Sequence, residues 1–135
     1  MATLKPLYGP KTSVSISLNS LPSGNVATSS TIDNSSNLYQ DFLIEVTISG
    51  ASGSNAWLEV RILPSEDGSN FATWDNGITI GTIDMVHNSE TAHFNLLGNL
   101  FQAPKYFKIA IKNNTGYDLS SSGNSVSYQG INIQS

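Results

Sequence analysis

Hydrophobic and polar residues alternate along most of this chain, which is the period expected of β-strands with one buried face. Four runs show the alternation without interruption, and each predicts a half-buried antiparallel strand. The hydrophobic positions of these runs are Val14, Ile16 and Leu18; Phe42, Ile44, Val46 and Ile48; Leu58, Val60 and Ile62; and Phe107, Ile109 and Ile111. A further strand is predicted over residues 92–96, and a weaker one over residues 26–32.

Two more runs change phase at a glycine. The hydrophobic positions of residues 78–85 switch from even to odd numbers at Gly81, and those of residues 126–133 switch at Gly130. A slip of one residue would turn the hydrophobic side chains to the solvent. We therefore predict a β-bulge at each glycine, because the extra residue turns the hydrophobic side chains on both sides of the glycine toward the core.

Clusters of Gly, Asn, Asp, Ser and Pro separate the runs and predict turns. Seven or eight short strands with such turns indicate an all-β fold, a single antiparallel β-sandwich of the jelly-roll type. An immunoglobulin-like sandwich is the alternative, since the strand order is not readable from the sequence. The length of 135 residues fits one domain. We assign residues 12–135 to the sandwich and residues 1–11 to an N-terminal arm.

The arm is hydrophobic and contains two prolines, which exclude a helix or a central strand. It supplies four candidate partner-binding residues, Leu4, Pro6, Leu7 and Tyr8. Docking of the arm onto a sheet edge of the same chain is an equally consistent interpretation.

Roughly one residue in three is Ser, Thr or Asn, and only 12% are charged. Residues that hydrogen-bond their own backbone favour turns and strands over a helical bundle. A net charge of −4 gives no basic surface for nucleic acid, and no stretch is long and apolar enough for a membrane span. The composition thus predicts a protein that binds neither nucleic acid nor membranes.

Candidate chemistry is sparse. The chain has no cysteine, and its two histidines, His87 and His93, lie near Asp84 and Glu90. A metal site of this composition is conceivable, but a turn histidine and a strand-face histidine are the simpler interpretation, which we prefer. No Gly-x-Ser-x-Gly motif is present. We therefore predict no enzyme activity, no cofactor, and no catalytic or metal-binding residue.

Four aromatic residues are further candidates for partner binding. Phe71 and Trp74 lie between two turn clusters, where exposed rings serve recognition; alternatively, both fold back and close one end of the sandwich. Trp57 and Tyr106 occupy polar positions of their strands, which predicts that they lie on an outer sheet face. Such a face suits a sugar platform or an oligomer contact.

Three stretches, residues 33–46, 65–71 and 104–130, resemble small virion proteins of tailed bacteriophages. The resemblance implies a capsid decoration (cement) protein, a β-sandwich bound to the outside of the major capsid shell, often as a dimer or trimer. Its expected partners are the major capsid protein and copies of itself. Its expected location is the capsid exterior, after assembly in the host cytoplasm, which suits a chain without cysteine or a secretion segment. The alternative is a carbohydrate- or receptor-binding module of a head fibre or tail.

Overall fold

The computed structural model describes residues 5–100 and 102–134, which form nine β-strands in two antiparallel sheets. The strands are β1 (Lys5–Ser13), β2 (Val26–Thr28), β3 (Ile32–Asp33), β4 (Asp41–Ser49), β5 (Trp57–Ser65), β6 (Ile78–Asp84), β7 (Ser89–Asn95), β8 (Tyr106–Asn114) and β9 (Ser125–Gln134). A single 3₁₀ turn, Trp74–Asn76, is the one helical element in these ranges. No helix among the described residues is long and apolar enough to cross a membrane.

The order of the strands is that of a jelly roll. Sheet A has the order β1-β9-β4-β7, and sheet B has the order β2-β8-β5-β6, with β3 also pairing with β8. Strands distant in sequence are therefore neighbours, as two interlocked Greek keys require. The predicted sandwich is confirmed, in its jelly-roll form. The nine described strands differ from the predicted set in two ways. Residues 5–13 form a strand and residues 14–18 do not, and the strand predicted over residues 26–32 is replaced by two short strands, β2 and β3, on the same edge of β8.

The inner faces of the two sheets enclose the hydrophobic core. Every second side chain of β4 and of most of β5 is buried, as the alternation predicts. Phe42 of sheet A meets Phe107 of sheet B edge to face, with 5.1 Å between the ring centroids. Burial of each such side chain contributes roughly 1.5–3 kcal/mol, so the core is what holds the two sheets together. The side of each sheet that points away from the core is called its outer face below.

The bulge predicted at Gly81 is present. Between Val60 and Arg61 of β5, the paired residue on β6 moves from Gly81 to Thr79, so β6 contains one extra residue. Hydrophobic side chains on both sides of the bulge consequently reach the core.

The bulge predicted at Gly130 is wrong, because the extra residue lies in β1 instead. The pairing moves from Tyr8 with Ile131 to Lys11 with Gln129, and β4 pairs with β9 without a shift. Since β9 stays regular, its alternation continues past the glycine. Ile131 therefore lies on the outer face of sheet A and not in the core.

Gly130 has a different structural role. The ring of Tyr39 lies directly over it, and a Cβ at this position would overlap the ring. Gly9, on the neighbouring strand, meets the same ring near its hydroxyl group. The two glycines thus form a slot for Tyr39, whose ring also packs edge to face on Phe42 with 5.6 Å between centroids.

Residues 14–18, predicted as a strand, belong to no strand of either sheet. They carry the chain from β1 in sheet A to β2 in sheet B. Leu18 is buried, and Val14 and Ile16 pack against the core. The alternation arises because one side of this crossing segment faces the core, a pattern that does not require a paired strand.

The described residues of the predicted arm form the first part of β1, the edge strand of sheet A. Docking onto a sheet edge of the same chain is therefore what residues 5–11 do. β1 continues to Ser13, through the boundary placed between residues 11 and 12. An edge strand tolerates proline, since one side of it needs no N–H donors. Leu4 lies outside the described residues, and Pro6 pairs with Ile133.

Candidate functional site

The residues predicted to bind a partner lie in separate places. Trp57 is opposite Asn114 at one end of the β5–β8 pair, and Tyr106 is opposite Ser65 at the other end. Eight residues along a strand correspond to about 27 Å. Phe71 and Trp74 are in the loop that follows β5, whereas Leu7 and Tyr8 are in β1 of the other sheet.

The loop that follows β5 folds back onto the outer face of sheet B. The Lys108 ammonium lies 4.5 Å from the ring centroid of Phe71. The Arg61 guanidinium lies 4.3 Å from that of Trp74 and donates a hydrogen bond to its carbonyl at 2.6 Å. Both rings are half-buried. The rings therefore fold back as the alternative interpretation held, but onto a sheet face and not across one end of the sandwich.

Asp67 holds the first turn of this loop. Its carboxylate accepts hydrogen bonds from the backbone N–H groups of Asn70 and Ser69, at 2.9 and 2.8 Å, and from the Ser65 hydroxyl at 3.0 Å. These hydrogen bonds, those of Asn70 and Ser69 first, hold the pKa of Asp67 far below its usual value. The turn lines an open cavity of about 550 Å³, but this carboxylate is engaged by its own turn.

The two histidines bind different carboxylates. His93 Nε2 lies 3.0 Å from Glu45, which also accepts a hydrogen bond from Lys11 at 3.0 Å. The hydrogen bonds from Lys11 and His93 lower the pKa of Glu45. His87 lies 3.6 Å from Glu90 at the start of β7. Among residues 5–100 and 102–134, no three such groups come together to hold a metal ion.

A group of exposed hydrophobic side chains lies at one end of sheet A. Leu38 is 66% exposed, Leu97 44% and Tyr8 61%. Ile131 pairs directly with Tyr8 and therefore shares its face. An open cavity of about 370 Å³ lies among Leu38, Leu97 and Ile131. We call Tyr8, Leu38, Leu97 and Ile131 the end patch.

The buried side chain of Asn34 positions Leu38. Its Oδ1 accepts a hydrogen bond from Tyr39 N at 2.8 Å, and its Nδ2 donates to Tyr39 O at 3.0 Å and to Pro104 O at 3.3 Å. Leu38 N also donates to the Asn34 carbonyl at 3.0 Å. Between these contacts Leu38 adopts φ of 52°, a left-handed conformation that leucine rarely takes. A strained hydrophobic residue directed at the solvent is a feature that functional sites often show.

Asp41 positions Leu97 in a similar way. Its Oδ1 accepts hydrogen bonds from the backbone N–H groups of Leu96 and Leu97, at 3.0 and 3.1 Å. Its Oδ2 accepts one from the Asn95 side chain at 3.0 Å. The turn after β7 is thereby tied to the first residue of β4. The end patch is consequently displayed on a hydrogen-bonded framework.

Three residues of the end patch were not predicted. Leu38 is the one aliphatic residue in a loop rich in Ser and Asn, residues 34–40, which is the signal that marks it. The bulge expected at Gly130 would place Ile131 in the core. Leu97 follows the end of a strand, where the alternation does not predict whether a side chain is buried or exposed. Of the predicted candidates, only Tyr8 belongs to the patch; Leu7 precedes it in β1, and its side chain points to the opposite face of the sheet.

No protein-family model matches this chain, and no curated protein matches it significantly. Solved structures resemble it at low identity. A chain of Desmodium yellow mottle tymovirus is 15% identical, covering 98% of this chain and 87% of that chain, with a TM-score of 0.43. CBM35 from Cellvibrio japonicus Abf62 is 10% identical, covering 97% of each chain, with a TM-score of 0.43. The CBM22-1 xylan-binding domain of Paenibacillus barcinonensis Xyn10C is 6% identical, covering 97% and 84%, with a TM-score of 0.39. These likenesses concern the fold alone.

Proposed function

We propose that this chain is a structural protein of a bacteriophage virion, a capsid decoration protein that binds the outside of the major capsid shell and stabilises it. The observation that carries the proposal is the end patch, in which Leu38 and Leu97 are held exposed by the hydrogen bonds of the buried Asn34 and the half-buried Asp41. Contiguous exposed hydrophobic side chains mark interaction sites on soluble proteins. The resemblance of three stretches of the sequence to phage virion proteins supports the same class of partner.

The proposed mechanism is passive. A protein that binds the assembled shell, and not its ruptured form, stabilises the shell by mass action. Each side chain of the end patch that becomes fully buried contributes about 1.5–3 kcal/mol. A few such anchors surrounded by polar residues are typical of binding surfaces. The side chain of Leu7 points to the opposite face of β1 and lies outside this contact, while Leu4 and Pro6 remain candidates from the sequence alone.

Binding of carbohydrate, as in a head-fibre or tail module, has less structural support. Sugar platforms use a ring with an accessible face. Phe71 and Trp74 each carry a cation over one face and are half-buried. Tyr106 packs against the turn at Gly68. Trp57 stands apart from these rings, near the opposite end of β5.

Capsids prepared from the encoding phage without this protein provide the direct test. We expect the purified chain to co-sediment with them saturably and to raise the temperature at which they rupture. The double variant Leu38→Ser/Leu97→Ser should bind at least about tenfold more weakly, since a loss of 1.4 kcal/mol is tenfold in affinity. Val86→Ser is the matched control, because Val86 is 70% exposed and outside the end patch.

Two results would overturn the proposal. One is a wild-type chain that neither binds the capsids nor makes them more resistant to heat. The other is a double variant that keeps its native circular dichroism spectrum and binds as well as Val86→Ser. A glycan-array signal that is lost in Trp57→Ala would establish the carbohydrate-binding alternative in its place.

A further inference from the structure

The described part of the fold has four sheet edges, and three of them are protected against pairing with another chain. β1 contains Pro6, Pro10 and a bulge, and β6 contains a bulge. The edge formed by β2 and β3 consists of three and two residues. Short strands, prolines and bulges are the usual means by which proteins prevent edge-to-edge association.

β7 has none of these protections. Its seven residues include neither proline nor glycine nor lysine, and they pair with β4 without a register shift. Within the described residues, β4 is its one paired neighbour. Such an edge is a template for a further strand.

The free hydrogen-bonding groups of β7 can be identified from its register. Leu96 N donates to Phe42 O at 3.3 Å, and Gly50 N donates to Asn88 O at 2.8 Å. Even-numbered residues of β7 therefore bond to β4, because antiparallel pairs alternate between bonded and non-bonded. The odd-numbered residues direct their N–H and C=O groups away from β4. They are Ser89, Thr91, His93 and Asn95, and all four are exposed.

We propose that β7 pairs with β7 of a second copy of this chain, antiparallel and about a two-fold axis at Ala92. Thr91 then pairs with the partner's His93, and Ser89 pairs with the partner's Asn95. The two-fold axis repeats both pairs, so the odd-numbered residues form four hydrogen-bonded pairs in all. Such pairs exchange two bonds each, so about eight N–H···O bonds join the copies. Sheet A becomes a continuous eight-stranded sheet.

The side chains favour a second copy as the occupant. In this register Ala92 lies directly opposite the partner's Ala92 in a non-hydrogen-bonded pair. The two Cα atoms of such a pair are closest together, so small side chains fit there. Glu90 faces the partner's Phe94, so no like charges are opposed. A shift of the axis to residue 91 or 93 leaves only five residues of β7 paired in each copy. The sequence of β7 is therefore self-complementary over its full length in one register.

Disulfide trapping tests the register directly, because the chain has no cysteine of its own. In Ala92→Cys the two sulfurs would stand in a non-bonded pair with Cα atoms about 4.5 Å apart, within the range of a disulfide. We expect mild oxidation to convert the protein largely to a covalent dimer. Thr91→Cys is the control. Residue 91 of the second copy would be its diagonal neighbour across the interface, with about 7–8 Å between the two positions, which is too far for a disulfide. Equal cross-linking of the two variants, or none, would overturn the proposal.

A second measurement uses the protein without oxidation. Sedimentation velocity should give the wild type a mass near twice 14.4 kDa at high concentration. Thr91→Pro removes an outward N–H but no bond to β4, and should be monomeric, whereas Thr91→Val keeps the N–H and should dimerise. A wild type that stays monomeric to millimolar concentration, or a folded Thr91→Pro variant that still dimerises, would refute the interface. Neither test involves a capsid, so the inference stands or falls separately from the proposed function.

Discussion

Asn113 is the polar residue on which the stability of one end of the sandwich depends most. Its side chain is fully buried at the end of β8. Nδ2 donates to Leu21 O at 2.9 Å and to Tyr117 O at 2.8 Å, while Oδ1 accepts from Thr115 N at 2.9 Å and from its hydroxyl at 2.6 Å. One amide thus ties two loops to the sheet.

The effect of Asn113→Ala follows from the group that it would leave without a partner. Thr115 N, which is buried, loses Oδ1 as its acceptor. Leu21 O keeps the hydrogen bond from Leu119 N at 3.0 Å, and Tyr117 O keeps the one from the Thr115 hydroxyl at 2.9 Å. An unsatisfied buried group costs about 1–3 kcal/mol, so the expected loss is about 2 kcal/mol. Domains of this size are stable by about 5–15 kcal/mol, and 1 kcal/mol shifts Tm by roughly 3–5 °C. We expect a folded variant with Tm lower by about 6–10 °C.

Calorimetry and urea titration of Asn113→Ala measure this change, with Asn114→Ala as the matched control. Asn114 is the same residue type one position later, half-exposed on the outer face of β8. It should lose no more than about 1 kcal/mol, as is usual for positions without buried partners. If the two variants lose the same free energy of unfolding, the buried hydrogen bonds of Asn113 do not have the role assigned to them.

Three further variants test other parts of the fold. Gly130→Ala should displace the Tyr39 ring and lower the free energy of unfolding by about 2–3 kcal/mol in urea titration; an unchanged value would contradict the slot. Asp67→Asn should be less stable than wild type at pH 7. The pKa of Asp67 is lowered by hydrogen bonds, so its contribution is present above about pH 4 and lost at lower pH; the difference should shrink at pH 2, and a constant difference would contradict this. Arg61→Met should shift the Trp74 fluorescence to longer wavelength, because the ring loses its cover; an unshifted spectrum would contradict the contact.

The alternation of hydrophobic residues predicts well which side chains face the core, but it predicts less well which segments pair as strands. It places Phe42, Ile44 and Val60 in the core, where they lie. It also predicts a strand over residues 14–18, although these residues cross from one sheet to the other. A segment with one buried side shows the same alternation whether or not it is paired in a sheet. The strand order depends on contacts between residues far apart in sequence, such as β1 with β9, and alternation carries no information about them.

The sequence pattern does not reveal the end patch, for a related reason. Ile131 and Gly130 show a phase change that a bulge in β9 would explain, but the extra residue lies on the partner strand β1. A sequence pattern in one strand cannot distinguish a bulge from a hydrophobic residue that faces outward. Leu38 is directed outward by Asn34, whose bonds to Tyr39 and Pro104 join segments 70 residues apart.

The end patch and the β7 edge have a combined consequence. A two-fold axis perpendicular to sheet A keeps the outer faces of both copies on the same side of the dimer. The end patch lies beside Asn95, where β7 ends, so the Asn95 residues of the two copies would stand about 20 Å apart along the strand direction. Both patches would then meet one shell at once.

This arrangement predicts avidity. Two linked sites bind more tightly than one, commonly by 10²–10⁴-fold, when geometry allows both to engage. Thr91→Pro, which retains an intact end patch, should therefore lose capsid affinity by about this factor, and Thr91→Val should not. Half-saturation concentrations from co-sedimentation give the comparison. A monomeric Thr91→Pro that binds as tightly as the dimer would show that each copy attaches alone, and that the β7 edge serves some contact other than bivalent attachment.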